Sequence, residues 1–220
     1  MIEAEWLVCD RPGLMLQFLR DRSHDRKLRL FAVACCRRVW DALTDEDARR
    51  AVVVAERLAD GHATRGERRA ATRALSKRPR EPATLAAACA VHETINKVEE
   101  ASAHAAALAR STGDELVFDL SELVGLRDRF YSALASHAPL LRDIFGNPFR
   151  PVPFSPSWRT STAVTLATQM YESRDFGAMP ILADALQDAG CDCADVLDHC
   201  RGPGPHVRGC WVVDLVLGKE

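Results

Sequence analysis

Strand signals are scarce in this chain of 220 residues: aromatic residues are 6% of it, and apolar and polar residues never alternate over a useful length. A sheet with one buried face is therefore not expected. No apolar run approaches the roughly 20 residues that a bilayer-spanning helix requires, so no membrane role is expected either. Met1-Ile2-Glu3-Ala4-Glu5 lacks the basic and apolar regions of a signal peptide. The formal net charge is only −2, which gives the whole chain no electrostatic pull toward nucleic acid or a membrane surface. Catalytic signatures are missing as well. His92-Glu-Thr-Ile-Asn96 imitates the zinc-protease helix but has Asn96 where the second histidine ligand belongs. Gly202-Pro-Gly-Pro205 lacks the Gly-Lys-Ser/Thr ending of a phosphate loop and reads as a rigid turn. No catalytic residue is assigned, and the chain is expected not to be an enzyme.

Cysteine is not lacking, but its placement excludes a disulfide scaffold. Cys35, Cys36 and Cys89 sit inside apolar helical runs, where a thiol packs as a small hydrophobe. Disulfide scaffolds are short and loop-rich. Reduced thiols and a cytoplasmic location are the expectation.

Helix signals run the length of the chain, and the fold class they imply is all-α, a multi-helix bundle. Ser23 caps a helix over about 24–43 that is apolar nearly all round, with Trp40 and Leu43 extending its buried face. Thr44 caps the next, whose Ala48, Ala51, Val52 and Ala55 keep helical spacing up to Gly61. An arginine-rich helix spans 64–76, and Pro79 and Pro82 then mark a boundary. An alanine-dominated helix over about 83–111 and a helix over 119–145, kinked or split by Pro139, follow. Four prolines make 146–157 an extended connector. Short helices complete the chain: 160–173, one up to Gly190, one capped by Asp192, and a last from about His206 to Leu217. The domains expected are a helical lobe at 1–78, a variable alanine-rich segment at 79–145, a proline-rich connector at 146–158 and a second helical lobe at 159–220. Trp6, Phe31, Cys35 and Trp40 are the expected core of the first lobe, and Trp158, Leu182, Leu186 and Trp211 that of the second.

Two groups of residues carry candidate chemistry. Six potential zinc ligands lie within twenty residues: Cys191, Cys193, His199, Cys200, His206 and Cys210. No Cys-x2-Cys knuckle occurs among them, and adjacent His199 and Cys200 point about 100° apart on a helix, so plain packing is the favoured reading. If a metal binds, zinc is the cofactor and His199, Cys200, His206 and Cys210 are the ligands. The second group is Arg65, Arg69, Arg73 and Lys77, spaced at i, i+4 along one face and suited to phosphates. Aromatic residues for base stacking are absent there, and a solvated face is the favoured reading.

Three stretches are familiar. They are Glu3-Ala-Glu-Trp-Leu7, Asp25-Arg-Lys-Leu-Arg-Leu-Phe-Ala-Val-Ala-Cys-Cys-Arg-Arg-Val-Trp40, and a C-terminal block. The block holds Leu141-Arg-Asp-Ile-Phe-Gly-Asn-Pro-Phe-Arg-Pro151, Met179-Pro-Ile-Leu-Ala-Asp-Ala-Leu-Gln-Asp-Ala-Gly-Cys191 and His199-Cys-Arg-Gly-Pro-Gly-Pro-His-Val-Arg-Gly-Cys-Trp-Val-Val-Asp214. Together they resemble a paralogous, uncharacterised all-helical protein family of planctomycete bacteria, in which 62–136 corresponds to a variable alanine-rich insert. The resemblance brings no activity with it. Leu182-Ala-Asp-Ala-Leu-Gln-Asp-Ala-Gly190 also resembles a short helical module that accompanies repeat domains in the same bacteria, which implies an interaction role. The leading expectation is a non-enzymatic adaptor for an unknown protein partner. Zinc binding and non-specific nucleic-acid binding through 65–80 are the alternatives.

Overall fold

The structure is a computed structural model that describes residues 1–20, 22, 25–77, 82–91, 100, 103–105 and 131–219. Among these residues every regular element is helical, as the missing strand signals predict. No helix among them is long and apolar enough to cross a membrane. The Ser23 cap, the Pro79 boundary, His92–Asn96, most of the alanine-dominated helix and all of 119–130 lie outside the described residues. By contacts the chain divides into two compact units. One is Val8–Ala138 with Met1, and the other is Ile2–Leu7 with Pro139–Glu220.

The first unit is built on α2 (Pro12–Leu19), α3 (Asp25–Arg38), α4 (Glu46–Ala59), α5 (Arg65–Leu75) and α6 (Pro82–Val91). Helix α4 is its centre and packs on α3, α5 and α6. Its small apolar stripe of Ala48, Ala51, Val52 and Ala55 is fully buried, and small side chains let neighbouring helices approach closely. The N-cap of α4 is Asp45 rather than Thr44: its carboxylate accepts from the Ala48 amide at 2.8 Å. Thr64 and Glu67 close a capping box on α5. Helix α3 is buried nearly all round, and Phe31 and Cys35 are fully enclosed. Trp40 is half-buried, with guanidinium groups over its ring at 4.0 Å (Arg37) and 5.4 Å (Arg49).

His137 ends this unit in a turn between helical 131–135 and the next helix, so the chain is split at the point where Pro139 predicts a break. Burial, and then the Arg38 charge, hold the His137 imidazole down at about 4. The unfolded chain binds that proton near 6.5 and the native unit does not. Stability is therefore full above pH 6.5, falls as pH drops and levels off near 4, a loss of about 3 kcal/mol. Denaturant midpoints at pH 7.5 and 4.5 should show that loss in the wild type, and His137→Leu should remove this part of it.

The second unit holds α1 (Glu3–Val8), α7 (Ala138–Phe145), α8 (Ser161–Ser173), α9 (Met179–Asp188), α10 (Ala194–Arg201) and α11 (Trp211–Leu217). Helix α8 packs on α9 and α11, and α10 packs on α9 and α11. Leu182 and Leu186 lie in their shared core with Cys191, Cys200 and Cys210. Trp158 is half-buried at the edge of this core, in a 3-10 turn (Pro156–Trp158) within the proline-rich connector, edge-on to Phe154 at 5.2 Å. Cys193, not Asp192, holds the N-cap position of α10. The last helix starts at Trp211, so His206 stands in the loop before it.

Short α1 cannot hold itself as a helix, and its partners in the second unit hold it. Trp6 is fully buried and its indole N–H donates to the Gly146 carbonyl at 3.0 Å. Arg142 donates to the Trp6 carbonyl at 3.0 Å, and Asn147 donates to Glu3 at 2.6 Å. Gly146 has φ +65°, and a Cβ there would stand 3.1 Å from the Trp211 ring. Glycine is required twice over at this position: for its backbone angle and for contact with the indole.

Candidate metal centre

Asp143, His199, His206 and Cys210 come together in the second unit, with one ligand atom from each lying within 4.8 Å of all the others. Helix α7 supplies Asp143. Its neighbours Leu140, Leu141 and Ile144 are fully buried, so the helical repeat carries the acid inward with them. Helix α10 supplies His199. His206 stands in the Gly202–Gly209 loop, and Cys210 is the residue from which α11 starts.

The contacts converge on one carboxylate oxygen. Asp143 Oδ1 lies 2.8 Å from His206 Nδ1 and 3.2 Å from His199 Nε2, and the same His199 nitrogen lies 3.2 Å from Cys210 Sγ. The other oxygen, Oδ2, accepts from the Val207 amide at 2.9 Å, which fixes the carboxylate so that Oδ1 faces the group. The two imidazoles meet edge-on at 4.9 Å, and the Trp211 ring lies 5.1 Å from that of His199. Gly204, at φ +80°, leaves room for His206: a Cβ there would stand 2.8 Å from the His206 amide nitrogen. His206 Nε2 is buried without a hydrogen-bond partner. A cleft of about 200 Å³ borders the group, lined in part by Pro139, Asp198 and Pro203.

Burial works against ionising the Asp143 carboxyl, but the hydrogen bonds and charges of His199 and His206 outweigh it and hold the group below its usual range. Among the described residues no lysine or arginine pairs with this carboxylate, which is 3% exposed. Burial and the Asp143 charge push the Cys210 thiol well above its ordinary value. The Val212 and Val213 amides oppose that shift without closing a cap hydrogen bond. Left alone, Cys210 keeps its proton at neutral pH.

The structure therefore brings His199, His206 and Cys210 together, and Asp143 occupies the fourth place in the group. Cys200 lies outside it. One residue beyond His199 on α10, its side chain is fully enclosed in the core with Cys191 and Val196. Burial, then the Cys191 and Asp143 charges, push its thiol up to about 12. Asp143 escaped the sequence reading because it lies 56 residues before His199, although an acid on the apolar face of a helix was a usable signal. None of the eight cysteines is in a disulfide. Arg65, Arg69, Arg73 and Lys77 are exposed on α5 and the turn after it, while Glu67 is engaged by Arg57 at 2.7 Å. In comparisons with protein-family models, curated proteins and solved structures, the chain has no significant match.

Proposed function

We propose that the second unit binds one zinc ion through Asp143, His199, His206 and Cys210, and that the ion is structural. The convergence of a buried carboxylate, a buried thiol and two imidazoles on one point carries this reading. Zinc takes N, O and S donors in a tetrahedral shell, and one thiolate, one carboxylate and two neutral imidazoles balance its charge. Bond lengths of about 2.0–2.3 Å separate tetrahedral ligands by about 3.3–3.6 Å. The three short separations, 2.8, 3.2 and 3.2 Å, need to open by a few tenths of an ångström, and all six lie within 4.8 Å. Four protein ligands leave no position for substrate, which favours a structural ion over a catalytic one. When bound, zinc supplies a crosslink among α7, α10 and the Gly202–Gly209 loop. Both stretches that supply the ligands, Leu141–Pro151 and His199–Asp214, are among those that carry the family resemblance. On this reading the adaptor role is what a zinc-stapled helical module would serve, with the metal maintaining its shape.

The test is metal removal. Binding must expel the Cys210 proton, so affinity rises with pH as long as the free thiol stays protonated, about tenfold for each proton released per pH unit. Calorimetric zinc titrations of metal-stripped protein in two buffers of different ionisation enthalpy should show proton release. The same titrations should show weaker binding at pH 6 than at pH 7.5. Binding that releases no proton would refute thiolate ligation.

A further inference from the structure

The first unit holds a second convergence of unlike ligands. Cys89 lies near the end of α6, with its thiol donating to a Glu100 carboxylate oxygen at 3.6 Å. His104 follows Glu100 by four residues, and both positions are helical. A single ligand atom from each of Cys89, Glu100 and His104 lies within 4.8 Å of the other two. Cys89 is 5% exposed, while Glu100 and His104 reach solvent. We propose that Cys89, Glu100 and His104 form a second metal site, one that takes a divalent ion of the zinc class and leaves its fourth position to water.

The chemistry of the donors leads to that assignment. A thiolate beside a carboxylate repels it unless a cation stands between them, and one thiolate, one carboxylate and one imidazole together neutralise a dication. Sulfur and nitrogen donors select zinc-like ions over magnesium and calcium, which take oxygen. Among the described residues three protein ligands meet here, the number found where zinc keeps an exchangeable position, in contrast to the four of Asp143, His199, His206 and Cys210. Solvent enters from the Glu100 and His104 side. The ion would tie the stretch around Glu100 and His104 to α6, which itself packs on α3 and α4. The proposal uses residues of the first unit only and stands independently of the zinc reading of the second.

Cobalt(II) reports both sites through one thiolate-to-cobalt charge-transfer band each, because each site contains a single cysteine. Titration of the 220-residue chain should show two equivalents, the weaker of which exchanges faster with chelator. Cys89→Ser should remove that weaker equivalent and leave the tighter one. Glu100→Gln, a change at a solvent-accessible position that does not threaten the core, should weaken the same equivalent at least tenfold. A wild-type titration that ends at one equivalent and is unchanged by either substitution overturns the proposal. Loss of an equivalent in Cys210→Ser, with the Cys89-dependent band retained, reports on the other site alone. A band that depends only on Cys89 would sink the zinc reading of the second unit and leave this one standing.

Discussion

Asp143→Asn is expected to strip zinc from the second unit while leaving its fold in place. The asparagine oxygen still accepts from the Val207 amide, the contact that orients the native carboxylate at 2.9 Å. The variant loses the negative charge and the anionic oxygen that faces His199 and His206. Loss even of a residue that supports a metal ligand weakens metal binding about 10–100-fold, and loss of a ligand should reach the upper end or exceed it. A site saturated at about 1,000 times its dissociation constant stabilises the fold by about 4 kcal/mol, and a 100-fold weaker site forfeits about 3 kcal/mol of that. Melting curves with zinc and with chelator separate this from a purely hydrogen-bonded role for Asp143. The deficit of the variant should be clearly larger in zinc than in chelator, where only the hydrogen bonds and charges of His199 and His206 are lost. An equal deficit in both conditions would mean that Asp143 stabilises through hydrogen bonds alone.

The second large effect is expected at Trp6. Trp6→Ala empties a fully buried indole site and deprives the Gly146 carbonyl of its donor. Large aromatic truncations of this kind cost about 3–5 kcal/mol, and the orphaned carbonyl adds to the penalty if water cannot reach it. The substitution should also reach the metal. A Cβ at Gly146 would stand 3.1 Å from the Trp211 ring, which lies 5.1 Å from the ring of His199, so a shift of Gly146 should be felt by a ring that positions a ligand. Trp6→Phe, which keeps a six-membered ring but loses the pyrrole part of the indole together with its N–H, should cost less than the alanine change, about 1–3 kcal/mol. Chemical denaturation of the metal-stripped protein measures the packing cost. A zinc titration of the same variants measures the effect on the site.

The helical class and most helix ends were legible because they rest on local chemistry. Thr64 with Glu67, Thr160, and the glycines at 61, 190 and 218 declare themselves within a few residues of the helix they bound. Ends set by tertiary contacts were not legible. The last helix was expected to begin near His206, but Gly204 and Gly209 both take positive φ and hold His206 in a loop. The proline-rich connector contains a 3-10 turn because Trp158 packs there against Phe154 and the core.

Sequence proximity assembled three members of the metal group and could not supply the fourth. His199, His206 and Cys210 fall within twelve residues, whereas Asp143 arrives from another helix. Adjacent His199 and Cys200 illustrate the converse: neighbours in sequence diverge around the helix, one toward the group and one into the core. Helix α1 teaches the same lesson at larger scale. It opens the chain, yet Trp6, Glu3 and their partners place Ile2–Leu7 in the C-terminal unit, a pairing across about 140 residues that no local pattern encodes.

The most direct test of the central claim is X-ray absorption at the zinc edge of zinc-loaded Cys89→Ser protein, in which only the second unit retains its candidate site. A four-coordinate ion is expected, with one sulfur at about 2.3 Å and three nitrogen or oxygen neighbours at about 2.0–2.1 Å. The sulfur shell should disappear in Cys210→Ser. A spectrum with no sulfur neighbour, or with six oxygen neighbours like zinc in water, would contradict it.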